Sequence, residues 1–230
     1  IISPSKIVNP IIADGRIVAI AEERLNRIKH SHNIFPKLSI DYCLGTLGVK
    51  PEDIDLIAID QIGSRENFPV KDIFLKKMGN TFPRAQIQVV NHHDAHAASA
   101  FFCSPFQEAA ILIHDGAGEE FDTHFGVPGI ETETLYYGSG GCFDQIQKTT
   151  HFGRGKRFHY TFGVGKLYTL LSQNYIGFGH FNEGKMMGLA PYGTDALIKR
   201  FPLKDWFKEV GGHIICNPRI TFPLPGKRSI

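Results

Sequence analysis

The stretch IQVVNHHDAHAASAFF, residues 87–102, leaves this chain few choices of architecture. Its first four residues form a short apolar run of strand length, and the remainder reads as a helix. A strand that passes into a helix without a linker belongs to layered α/β folds. The rest of the chain repeats the plan. Residues 7–13 and 16–21 are strand-like runs joined by Asp14-Gly15, which predicts a hairpin. Residues 35–48 carry helical spacing with Pro36 near the start, 55–60 read as a buried strand, and a helix is expected around 70–79. EAAILIHDGAG is a strand ending in a glycine turn. The segments FDTHFGVPGI, TETLYYGSGG and CFDQIQKTTH read as a strand meander. The pair TLYYGSGGCFDQI echoes IIADGRIVAI as strand, tight turn, strand, a weak internal repeat. A helix is expected over 164–178, EGKMMGLA opens another, and the segments DALIKRF, DWFKEV and HIICNP are mixed. The expected class is α/β, with two related lobes over 1–104 and 105–230.

Composition excludes several function classes. The chain has 230 residues, of which 42% are hydrophobic, enough for one large domain or two lobes with cores. A net charge of +2 makes no electrostatic demand for nucleic acid or an anionic membrane. No apolar run is long enough to cross a bilayer, and no signal peptide is visible. The four cysteines, Cys43, Cys103, Cys142 and Cys216, show no CxxC spacing and suit free thiols in a reducing cytoplasm. The first residues, Ile1-Ile2, and the last, PLPGKRSI, read as parts of a longer protein.

His92 and His96 stand four apart, so on a helix both imidazoles share a face and reach one ion. Alone, such a pair reads more readily as two histidines that cap a helix and bond to backbone. Asp115 ends the run AAILI ahead of Gly116 and Gly118, at the end of a strand, where α/β proteins bind ligands. Its bland counterpart is a plain Asp-Gly turn. Two imidazoles and one carboxylate with open positions suit ferrous iron or zinc. His93 is placed as a contact behind that set or toward a substrate. The glycines after Asp115 allow backbone N–H groups to approach a phosphate. GHFNEGKM, residues 179–186, fits most of a phosphate-binding loop, but Met186 stands where Ser or Thr should be and no buried strand precedes it, so that reading is rejected. Lys185 at a helix start remains a phosphate contact or a solvated lysine. GRGKRFHY, residues 153–160, is basic and aromatic but too short to predict nucleic-acid binding. The helix EERLNRIKH, residues 22–30, has charges on mixed faces and reads as an exposed, salt-bridged turn or as a polar wall for a sugar-like acceptor.

HHDAHAASAFFCSPFQEAAILIHDGAGE and EGKMMGLAPYG closely resemble the O-carbamoyltransferase family of nodulation protein U and the antibiotic carbamoyltransferases. AEERLNRIKHSHNIFPKLSIDYCLGTLGVKPEDID and TFGVGKLYTLLSQNYIGF resemble it in the same order, over most of residues 11 to 194. The resemblance implies an actin-like ATPase fold of two related lobes, the second incomplete here, followed by an adenylating domain absent from this chain. It implies that carbamoyl-adenylate, made from carbamoyl phosphate and ATP, gives its carbamoyl group to a hydroxyl of a sugar or natural-product acceptor. It implies an iron(II) site, with zinc the other candidate, at His92, His96 and Asp115, and magnesium with the ATP. It places Gly116, Gly118, Glu119, Glu183, Gly184 and Lys185 near the nucleotide phosphates, with Lys185 stabilising the leaving phosphate. His93 and His114 are the candidate bases.

Ser5 and Lys6 stand roughly where the family has His and Asp, and its first strand is expected to be missing. Three other readings stay open: a non-catalytic fragment that keeps the fold, a tRNA threonylcarbamoyl transferase, and a sugar-kinase-like ATPase. Neither nucleic acid nor membrane is an expected partner of the favoured reading, and the expected location is the cytoplasm.

Overall fold

Asp14 and Gly15 make the first reversal. Both have positive φ, 49° and 73°, as a two-residue turn between twisted antiparallel strands requires. The turn joins β1 (Val8–Ala13) to β2 (Arg16–Ala21) in the register Ala13↔Arg16. The computed structural model describes residues 8–31, 34–64, 66, 69–122, 128–152, 163–179, 182–195, 207–210 and 213–216. The altered residues Ser5 and Lys6 and the basic stretch 153–160 lie outside them. The chain divides into two units, 1–95 and 96–230.

In the first unit β2 runs directly into α1 (Glu22–Asn26). The helix expected over 22–30 stops after five residues, because Arg27 turns left-handed at φ 62° and a single tight turn follows at Lys29–Ser31. Polar side chains divert the backbone there. Glu23 Oε2 accepts from His30 N at 2.7 Å, and Asn26 Oδ1 accepts from Ile28 N at 2.8 Å and from Ser31 Oγ at 3.1 Å. Glu22 is buried rather than exposed. It serves the next helix, α2 (Lys37–Leu47), whose N-cap Pro36 has no side chain to offer. Glu22 accepts from Leu38 N at 3.3 Å and from Ser39 N at 2.7 Å, filling the role of a local capping residue.

β3 (Leu56–Gln61) and β4 (Gln86–Asn91) pair in parallel, with α3 (Val70–Met78) in the crossover between them. Their shared core joins Ile40 and Leu44 of α2, Ile59 of β3, and Val70, Phe74 and Met78 of α3. Phe74 packs between Phe35 and Phe82 at ring distances of 5.9 and 6.1 Å. Among the described residues β1 pairs only with β2 and β3 only with β4. A groove of about 820 Å³ touches Pro10–Ala13 of the first pair and Leu56–Ala58 of the second, over Ile40 and Phe74.

β4 passes without a linker into α4 (His92–Phe102), and the division between the units falls inside that helix. In the second unit α4 leads to β5 (Glu108–His114), β6 (Glu120–Asp122), β7 (Pro128–Ser139) and β8 (Cys142–Phe152). The turn between β7 and β8 carries Gly140 and Gly141 at φ 61° and 87°, so the echo of the first hairpin is structural. β8 takes one edge of β7. β5 covers residues 133–139 of the other edge and β6 covers 128–130. Ile111, Ile113 and Tyr136 pack with Ala97 and Phe101 of α4.

Further on come α5 (Val164–Leu170) and α6 (Glu183–Leu189), with β9 (Phe207–Val210) paired to β10 (His213–Cys216). The helix expected over 164–178 changes character. After Leu170 it widens to a π-helix over Leu171–Ile176 and stops at Gly177, φ 80°. No helix among the described residues is long and apolar enough to cross a membrane.

Candidate metal centre and active site

Helix α4 begins with His92 and carries His96 one turn later, so the two imidazoles share a face as the spacing predicted. His96 is half exposed, and its Nε2 lies 4.0 Å from Oδ2 of Asp115. Two donors that each lie about 2 Å from an ion stand about 3.3 Å apart in a tetrahedral site and about 4 Å apart only on opposite sides of it, so this pair is close to, and slightly wider than, the spacing of neighbouring ligands. The other oxygen of Asp115, Oδ1, accepts from Gly116 N at 2.6 Å, which turns the carboxylate so that Oδ2 is the one toward His96.

His92 is held from within its own unit. Its Nδ1 lies 2.8 Å from Oδ2 of Asp60, and both side chains are buried. The parallel register explains the meeting. Gln61 of β3 stands opposite Asn91 of β4, so Asp60 and the residue after Asn91 share one strand end. Sequence reasoning missed Asp60. The available signal was an acidic residue closing the apolar strand LIAID one strand before the histidine helix.

The turn after β5 fills the break between β5 and β6. Asp115 N donates to Thr132 O at 2.8 Å, Gly118 N to Glu131 O at 2.9 Å, and Glu119 N to Glu131 Oε2 at 3.0 Å. The N–H groups of Gly116, Gly118 and Glu119 are therefore engaged inside the protein. A third glycine, Gly165, serves close packing. A Cβ on Gly165 of α5 would stand 2.6 Å from the carbonyl of Asp115, so the first turn of α5 lies backbone-to-backbone on the candidate ligand. Glu131 is buried and ion-paired with Lys148.

His114 stands opposite Glu133 in the β5–β7 register, with Nδ1 3.8 Å from Glu133 Oε1. The same carboxylate oxygen accepts from Val164 N at 3.1 Å, and Oε2 accepts from Thr132 Oγ1 at 2.7 Å. Glu133, which the sequence did not single out, thus caps α5 and faces a candidate base. His93 is fully buried in the first turn of α4. Glu183, Gly184 and Lys185 form the first turn of α6, and Gly184 and Lys185 are exposed.

Comparison with known proteins gives a family model described as "Carbamoyltransferase N-terminus", matching residues 8–81 and 73–204. The chain is similar to "Nodulation protein NolNO" of Sinorhizobium fredii, at 33% identity over 91% of this chain and 31% of that one. It is similar to "Uncharacterized protein sll1178" of Synechocystis, at 32% identity over 82% of this chain and 33% of that one. It is also similar to "Nodulation protein NolO" of Bradyrhizobium diazoefficiens, at 34% identity over 45% of this chain and 15% of that one. The chain spans about a third of the length of the first two.

Proposed function

Because the chain belongs to the carbamoyltransferase N-terminus family, we propose that it is the acceptor-side, metal-holding part of an O-carbamoyltransferase with an actin-like fold. The donor is carbamoyl-adenylate formed from carbamoyl phosphate and ATP, and the acceptor is a hydroxyl of a sugar or natural product. The observation that carries this reading is the separation of His96 from Asp115, with a second imidazole one helical turn away. The donor set His92, His96 and Asp115 suits iron(II), with zinc as the alternative. An ion held there would supply Lewis acidity toward the carbamoyl carbonyl.

The remaining work falls to the protein's own groups. His114 takes the proton of the acceptor hydroxyl, with the Glu133 carboxylate 3.8 Å from its Nδ1. His114 is preferred to His93 because it is partly exposed, whereas His93 is fully buried. Lys185 offers its ammonium to the leaving adenylate phosphate from an exposed position in the first turn of α6. With the N–H groups of Gly116, Gly118 and Glu119 already engaged, the phosphates depend on that charge.

An anaerobic titration of iron(II) into the wild-type chain and His96→Ala tests the centre. One ion per wild-type chain and none in the variant is expected. Full retention by a folded His96→Ala rejects the assignment. The full-length protein, given carbamoyl phosphate, ATP and a sugar acceptor, should form a carbamoylated sugar and AMP. His114→Gln should lower kcat by about 10²–10⁴-fold with metal content intact.

A further inference from the structure

We propose that Asp60 is a positioning residue of this centre, one that holds the His92 ring so that Nε2, not Nδ1, is the metal-binding nitrogen. The inference rests on the metal reading above, and three observations lead to it. The first is the 2.8 Å contact between His92 Nδ1 and Asp60 Oδ2. A carboxylate accepts, so Nδ1 carries the hydrogen and the lone pair available to an ion sits on Nε2. The second is burial. Asp60 is 3% exposed and His92 7%, so water does not compete for the bond or turn the ring. The third is the other oxygen of the carboxylate. Asp60 Oδ1 is buried with no hydrogen-bond partner among the described residues. A buried carboxylate held by one bond is costly on its own. The cost is offset when the imidazole it grips faces a cation. A carboxylate behind a ligating histidine raises the basicity of the ring and fixes its orientation.

The test separates Asp60 from the metal reading. Long-range ¹H–¹⁵N NMR of the metal-free chain reports which nitrogen of His92 bears hydrogen. The hydrogen is expected on Nδ1 in the wild type, with a mixture of tautomers in Asp60→Ala. Cobalt(II), titrated calorimetrically, should bind Asp60→Ala about 10–100-fold more weakly than wild type. Asp60→Asn keeps an acceptor oxygen and the side-chain volume, so it should keep the tautomer and lose less affinity, and it stands in should Asp60→Ala fail to fold. Hydrogen on Nε2 of wild-type His92 overturns the proposal. So does a folded Asp60→Ala with wild-type cobalt affinity and an unchanged His92 signal. A wild type that shows the Nδ1–H form yet takes up no cobalt rejects the metal centre itself, and with it the metal role of Asp60.

Discussion

Cys43 lies on the inward side of α2 with no exposed surface, and burial pushes its thiol up from the ordinary value. It stays protonated near neutral pH and is a packing residue, whereas Cys103 and Cys142 are exposed. A thiol reagent at pH 8 should label Cys103 and Cys142 within minutes and Cys43 only on unfolding, as peptide mass spectrometry would show. Glu23 shows the opposite sign. The hydrogen bond from His30 N holds its carboxyl below the ordinary value of 4.5. A depressed carboxyl contributes stability above its unfolded value and loses it as pH falls through the folded one. The melting temperature should therefore fall less steeply below pH 4.5 in Glu23→Gln than in wild type, by a small margin because the group is exposed.

At the scale of elements, α5 shows how a glycine serves the site. Gly165 lets the helix touch the Asp115–Gly116 backbone, and a methyl group has no room there. Gly165→Ala should cost about 1–3 kcal/mol in denaturant unfolding and shift the His96 and Asp115 resonances. Much of this architecture was legible in the chain. The Asp14-Gly15 hairpin, the β4–α4 passage and the His92–His96 pair follow from local rules of turn conformation and helical period. What stayed hidden depends on contacts distant in sequence. Glu22 looks like a surface charge until α2 packs beside it. Asp60 and Glu133 acquire partners only through strand register. The π-helix at Leu171–Ile176 has no signature in residue periodicity.

At the scale of the molecule, each unit has its own apolar cluster. Phe74→Ala removes the ring at the centre of the first and should destabilise that unit by about 3–5 kcal/mol, seen as faster hydrogen exchange in β3 and β4. β1 and β3 each meet a strand on one side among the described residues, with Ile12 and Leu56 exposed at the groove between them. Unpaired edges with apolar side chains invite pairing between chains, so Ile12→Lys should reduce concentration-dependent light scattering. The cap on α2 has a further consequence, in the order of folding. An eleven-residue helix is too short to persist alone in water, and the N–H groups of its first turn gain a side-chain acceptor only when Glu22, seventeen positions upstream of Ser39, has been delivered by β2. The helix therefore reaches its full stability only once the hairpin is in place. Excised as a peptide, residues 37–47 would be mostly coil, and in the intact chain loss of Glu22 would be felt as slower folding of the whole first unit.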